Sequence, residues 1–361
     1  MLSQRFHWVA AFSLQLALVA CSSHPTVVNG DGGESTDDAR PADGRSVDAG
    51  PTGDAGAGST EFAYVANYLS GISAFAIQPN GELAGLPGPP FDAQVSFYAV
   101  ALHPSRPILY AAEYTGHAVH AYQIDPEDGA LSVIGQPIAI DHPAISIAVD
   151  PLGRFVYVGD FDDVDFANHS IRTFAIDEAT GGLASDPLSS LPSPSHVSVI
   201  APDPSGHFVY ATDSDVGIRA FSVETSGKLS ELTSSPFATT SARGGWLALH
   251  PTEPIIYNAL RTLGAFTVES NGALTALPGS PFAGGANADP GEIAVAVDPH
   301  GRFMCVIDLS AATLTVYTIR GDGSVAVPGS SYDAGTLAYG VAIDPDGRFV
   351  YVTTDFGNVA A

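Results

Sequence analysis

Positive charge is scarce in this chain: 13 Lys and Arg face 39 Asp and Glu over 361 residues, a formal net charge of −26. Nucleic acid and bare anionic lipid are thereby excluded as partners, because a surface of that sign repels both. Cysteine is nearly absent, with Cys21 and Cys305 alone, so no disulfide framework holds the fold. Cys305 takes the place of a strand tyrosine and reads as a buried core residue. No segment carries a sustained helical period, which predicts almost no helix. The usual signatures of chemistry are missing too. There is no G-x-S-x-G elbow, no H-E-x-x-H, no C-x-x-C and no phosphate loop, and no cofactor is expected. The glycines from Gly53 to Gly58 are linker, since no strand precedes them and no helix follows.

What the chain has instead is a repeat. An Asp/His-Pro turn followed by an aromatic strand recurs as His103-Pro104 with Tyr110, Asp150-Pro151 with Tyr157, Asp203-Pro204 with Tyr210, His250-Pro251 with Tyr257, Asp298-Pro299 with Cys305, and Asp344-Pro345 with Tyr351. The anchors begin at 103, 150, 203, 250, 298 and 344, so the steps are 47, 53, 47, 48 and 46 residues. A seventh copy of the strand, Phe62-Ala63-Tyr64-Val65, lies 46 residues before Tyr110 with no anchor in front of it. Within each unit Asn80-Gly81, Asp128-Gly129, Ser226-Gly227, Asn271-Gly272 and Asp322-Gly323 mark tight hairpins, where glycine supplies the positive φ the turn requires. The inner strand Tyr98 to Leu102 is apolar throughout, as expected of a strand buried on both faces. Periods of about 40–50 residues with four strands per unit predict an all-β, seven-bladed β-propeller.

The first sixty residues are different. The stretch from Met1 to Ala20 holds Arg5 and then an apolar run, Trp8 to Ala20, broken by Ser13 and Gln15; it is too short to span a bilayer and reads as a signal peptide. Its end, Leu18-Val19-Ala20-Cys21, resembles the bacterial lipobox. That resemblance implies cleavage before Cys21, a lipid on Cys21, and an exported protein anchored in the cell envelope, at the outer membrane or the periplasmic face. Residues 21–60 are rich in Gly, Ser, Asp, Ala and Pro and lack aromatic residues. They bury too little apolar surface to fold and read as an acidic, disordered tether. The propeller is expected over 61–361.

The count of strands leaves the ring incomplete. Seven second strands stand against six inner strands, and ten residues follow Tyr351. The expectation is a last blade lacking its outer strand, a first blade lacking its inner strand, and a gap between Tyr64 and Tyr351.

Candidate chemistry is sparse. The run 160–165, Asp-Phe-Asp-Asp-Val-Asp, explains the 53-residue step. It offers carboxylates to calcium but lacks the glycine and distal glutamate of an EF-hand loop, the twelfth position being Ile171. It reads as a solvated acidic loop, and no metal is expected. Three residues after each strand aromatic (or Cys305) stand Asn67, Glu113, Asp160, Asp213, Leu260, Asp308 and Thr354, placed to ring one mouth of the channel. Short polar side chains there act either as turn caps or as a binding ring.

The pattern D-P-x-G-R-F-V-Y-V, followed by D/N-G-x-L and by P-G-S-P-F after the outer strand, resembles the seven-bladed lactonase propellers. That family includes bacterial phosphogluconolactonases and fungal carboxymuconate cyclases. The resemblance covers Glu61 to Ala361. It implies lactone hydrolysis, with His196, in Pro194-Ser195-His196-Val197, at the position of the family's histidine and Glu292 at that of its glutamate. The family's arginine before the Trp246 strand falls on Gly245, with Arg243 two places away. Its next glutamate falls on Arg261, and a further arginine falls on Leu309. Lactone hydrolysis needs a base for water and a donor for the carbonyl oxygen. His196 suits the first because imidazole titrates near neutral pH, and Arg243 supplies a cation if its loop bends inward. A small lactone or carbohydrate is the implied ligand. The alternative is a non-catalytic cell-envelope binding propeller. Phe62 to Asn67 and Val350 to Thr354 also resemble the Tyr-Val-Thr-Asn repeats of surface propellers.

Overall fold

A computed structural model describes residues 16–20, 61–162, 168–213, 216–237, 245–259, 262–282, 294–326, 330–335, 338–354 and 359–360. Among the described residues every regular element is a β-strand. The strands form seven antiparallel sheets, each a consecutive meander. The first blade comprises Leu16–Ala20, Glu61–Asn67, Gly71–Ile77 and Leu83–Gly85. The second has Phe97–Leu102, Ile108–Glu113, Ala118–Ile124 and Leu131–Val133, with Ile138–Ala139 as a fifth strand. In the third, Ala144–Val149, Phe155–Asp160, His169–Ala175 and Ser189–Ser193 are paired in order. The fourth runs Val197–Pro202, Phe208–Asp213, Gly217–Val223 and Leu229–Glu231. The fifth runs Trp246–Leu249, Ile255–Ala259, Leu263–Val268 and Leu274–Ala276. The sixth is Val295–Val297, Phe303–Asp308, Thr313–Thr318 and Ser331–Asp333. The seventh has three strands, Ala338–Ile343, Val350–Thr354 and Val359–Ala360. Neighbouring inner strands touch all the way round the ring, which is the propeller the repeat predicts.

The repeat's two loudest signals turn out to be two ends of one bond. In five of the seven blades the tyrosine of the second strand donates its hydroxyl to the hairpin glycine carbonyl of the following blade. The pairs are Tyr64 to Gly129 at 2.8 Å, Tyr110 to Gly181 at 2.8 Å, Tyr210 to Gly272 at 2.9 Å, Tyr257 to Gly323 at 3.0 Å and Tyr351 to Gly81 at 3.0 Å. Glycine is required at these turns twice over. At Gly272 φ is +81°, and a Cβ there would sit 2.4 Å from the Phe208 ring. The Asp-Pro-x-Gly-Arg turns, at the same end of the strands, also tie neighbouring blades. Asp150 holds Arg154 through two bonds of 2.8 and 2.9 Å, and Arg154 donates to the Gly206 carbonyl of the next blade at 2.8 Å. Arg302 bridges Asp298 to Gly347 in the same way. Where the anchor is histidine, the ring reaches across itself, His250 Nε2 lying 3.3 Å from the Gly301 carbonyl.

Two expectations are corrected. In the second blade the strand buried on both faces is the second, not the inner one. Ile108 to Ala112 are wholly buried, while Tyr98, Ala101 and Leu102 are half-exposed, because an inner strand turns one side to the channel. The ring also closes. Tyr351 bonds to Gly81, Arg348 lies 3.5 Å from Glu61, and Tyr351 packs with Ala63 and Ile77. The inner position of the first blade is taken by Leu16–Ala20, paired from Leu16 opposite Val65 to Ala20 opposite Glu61. The inner edge of Glu61–Asn67 is a row of backbone donors and acceptors, and an apolar run without proline is its natural complement. Among the described residues the seventh blade has three strands.

Candidate functional site

Inner strands begin where second strands end, as the pairs Phe97–Glu113, Ala144–Asp160, Val197–Asp213 and Ala338–Thr354 show. This end of the channel, the upper mouth, collects the polar ring read from the sequence and the residue before each inner strand, His196 among them.

The polar ring is a set of caps. Asn67 Nδ2 donates to the Val65 and Gly71 carbonyls and to Ser73 Oγ. Asp160 accepts from the Ser170 amide at 2.5 Å, Ser170 Oγ at 2.6 Å and Arg172 Nε at 3.1 Å. Asp213 accepts from Ser193 and Ser195, and Asp308 from Ser310 and the Ala311 amide. Glu113 lies 2.7 Å from His120 Nε2, whose other nitrogen lies 3.3 Å from Tyr122 OH. These carboxylates tie their own blades together. Leu260 lies outside the described residues.

The described arginines of this half are equally committed. Arg172 binds Asp141 at 2.6 Å as well as Asp160. Arg219 forks onto Glu231 at 3.0 and 2.6 Å and donates to Ser193 and the Pro192 carbonyl. The hydrogen bond from Arg219, helped by Ser235, holds the Glu231 carboxyl below its usual range against its burial. Among the described residues, both guanidiniums of this half are thus engaged by carboxylates.

His196 stands half-buried just before the inner strand of the fourth blade. Its ring meets the Phe161 ring edge-on, centroids 5.7 Å apart at 89°. Phe161 in turn stacks on His169 at 5.5 Å and 17°, and the His169 and His196 rings are 6.5 Å apart. Phe161 and Asp162 are described residues of the acidic insert, and they lie against this histidine-bearing wall rather than in solvent. Asp162 is buried, accepts from the Asn168 amide and side chain at 3.2 and 3.1 Å, and lies 4.0 Å from His142 Nδ1. Its own amide donates to His169 Nδ1 at 3.1 Å. Among the described residues no three acidic, histidine or cysteine side chains are grouped to hold a metal ion.

The structure thus brings His196 to the mouth. Cys21, Arg243 and Glu292 lie outside the described residues, as do Arg261 and residues 163–167. Gly245, where an arginine is expected, is described and leads into the Trp246 strand. Leu309, at the other eroded arginine position, follows Asp308 at the end of the sixth blade's second strand. The sequence reading missed Phe161 and His169; the signal available was the insert itself, the one step of 53 residues. Cys305 is the core residue expected, wholly buried with its thiol pushed up to about 12 by burial. A separate cavity of about 140 Å³ lies on the outer edge of the first blade, between Phe75 and the Gly85–Phe91 turn, and no titratable group lines it.

Fold and mouth together define a propeller with one histidine-bearing wall at its channel entrance. The chain matches the family described as Lactonase, 7-bladed beta-propeller, over residues 62–359, and it belongs to that family. It is 24% identical to the 6-phosphogluconolactonase of Cronobacter sakazakii over 285 residues, which cover 77% of this chain and 83% of that protein. It is 25% identical to the 6-phosphogluconolactonase of Erwinia tasmaniensis over 265 residues, 72% of this chain and 77% of that one. The periplasmic gluconolactonase of Pseudomonas aeruginosa has the same fold, with a TM-score of 0.68 at 18% identity over 82% of this chain and 90% of that one.

Proposed function

We propose that this protein hydrolyses a sugar-type lactone at the upper mouth, with His196 as the base and Arg243 and Glu292 positioning the substrate. The observation that carries the reading is His196 at the channel entrance of a lactonase-family propeller, held against Phe161 and His169. The net charge of −26 and the pairing of Arg172 and Arg219 with carboxylates favour an uncharged lactone over a phosphorylated one. The test is a panel of δ- and γ-lactones followed by titrating the acid released. Release above the spontaneous rate supports the reading; a rate equal to the spontaneous one for every lactone sinks it.

The departures at Gly245, Arg261 and Leu309 favour a second reading, a non-catalytic binding propeller of the cell envelope. An inactive protein that still binds a sugar or lactone in calorimetry would decide for it.

The address is read from Leu18-Val19-Ala20-Cys21: an exported lipoprotein held by a lipid on Cys21, facing the periplasm or the outer membrane; cleavage before Cys21 removes Leu16–Ala20, so in the processed protein the inner edge of Glu61–Asn67 loses the strand that pairs with it in the full chain. Cys21→Ser should release it from the membrane fraction or leave it unprocessed. A membrane share unchanged from the parent would argue against the anchor.

A further inference from the structure

Lactone hydrolysis needs a hydrogen-bond donor where the carbonyl oxygen becomes negative. In this chain the arginine positions that would serve fall on Gly245 and Leu309, and Arg172 and Arg219 are bound to carboxylates. His169 meets the need. The residue is 4% exposed and is the first of the third strand of the third blade. The Asp162 amide donates to Nδ1 at 3.1 Å, so Nδ1 is an acceptor and the proton of the neutral ring sits on Nε2. Among the described residues Nε2 has no hydrogen-bond partner, yet it is not one of the sealed polar atoms, which are Glu61 Oε2, Tyr157 OH and Thr173 Oγ1. Among the described residues nothing claims the Nε2–H of this nearly buried imidazole, and its ring centroid is 6.5 Å from that of His196. That separation lets a base and a donor act on one carbonyl group, each about 3 Å from the reacting atoms. Phe161 lies against both rings.

We propose that His169 is a second catalytic residue, donating from Nε2–H to the lactone carbonyl oxygen. The proposal rests on the lactone reading above. His196 takes a proton from water, and the water oxygen bonds to the carbonyl carbon. The π pair of the carbonyl moves onto its oxygen, which accepts the hydrogen bond from His169. The pair returns, the ring C–O bond breaks, and the leaving alkoxide takes the proton back from His196. His169 keeps its own proton throughout, and the product is the open hydroxy acid.

The test uses the full chain and glucono-δ-lactone, with initial rates corrected for spontaneous opening. His169→Phe keeps the ring stack and removes the donor. It should lower kcat by about 10²–10³-fold, leave KM within a few-fold, and leave the acid limb of the pH profile in place, because His196 remains the base. His169→Gln carries an amide N–H near the Nε2 position and should recover most of the loss. A His169→Phe protein with parental kcat overturns the proposal while lactonase activity stands. A parent inactive on all lactones overturns the lactone reading and this proposal with it. Should His169→Phe fail to fold, ¹⁵N-histidine spectra of the parent decide. The Nε2–H proton of His169 should move downfield on adding gluconolactam, a non-hydrolysable analogue, and an unmoved signal overturns the proposal.

Discussion

Removing one oxygen from Tyr210 tests whether the tyrosine–glycine latches hold the blades together. Tyr210 is wholly buried and donates to the Gly272 carbonyl at 2.9 Å. Phenylalanine fills the same space, so Tyr210→Phe opens no cavity and isolates the bond. The net bond is worth about 0.5–1.5 kcal/mol, and leaving a buried carbonyl without a donor costs about 1–3 kcal/mol. A loss of about 1–2 kcal/mol is therefore expected. Tyr157 is the internal control. It occupies the same place in the third blade, is equally buried, and its hydroxyl has no protein partner among the described residues. Burial raises its pKa, as it does that of Tyr210, so both hydroxyls stay protonated at every working pH. Tyr157→Phe removes a desolvated hydroxyl that bonds to nothing in the protein and should be neutral or stabilising. Urea unfolding followed by tryptophan fluorescence reads the difference as a shift in midpoint at constant slope. Equal losses in the two variants, or a larger loss at Tyr157, would refute the idea that these bonds, rather than ring packing alone, join the blades.

Two further outcomes follow from the ring and its anchors. A chain lacking residues 1–20 should lose hydrogen-exchange protection over Phe62–Ala66, while Val209–Thr212 in the fourth blade stay protected; unchanged protection would mean that Leu16–Ala20 does not cover that edge. Burial holds His103 below its ordinary pKa of 6.5 against the pull of the Gly153 carbonyl, and Arg106 adds to the lowering. As pH falls the unfolded chain takes this proton first. The anchor's contribution is thus complete above about pH 6.5 and is lost as pH drops below that value through the lower folded one. The melting temperature of the parent should therefore fall more between neutral and mildly acidic pH than that of His103→Gln, and parallel falls would contradict the assignment.

The blades were legible because their signals are local and repeated. Asp-Pro turns, strand tyrosines and hairpin glycines recur at nearly fixed steps, and the structure shows them to be the bonds between neighbours. The closure was not legible, since it depends on contacts between distant residues. Tyr351 and Gly81 are 270 residues apart, and nothing in the apolar run Leu16–Ala20 separates a leader from a strand. At the mouth, His196 was readable through the family pattern because it precedes a regular inner strand. Phe161 and His169 were not, because the insert that carries them breaks the repeat and its acidic composition resembles a solvated loop. Only the fold shows Asp162 turned inward, fixing His169 through its backbone amide.

The proposed role of His196 as the base for lactone opening is tested most directly by kcat/KM of parent and His196→Ala on the same lactone. Loss of a general base lowers the rate by about 10²–10⁴-fold. A His196→Ala protein, folded and as fast as the parent, would contradict the claim.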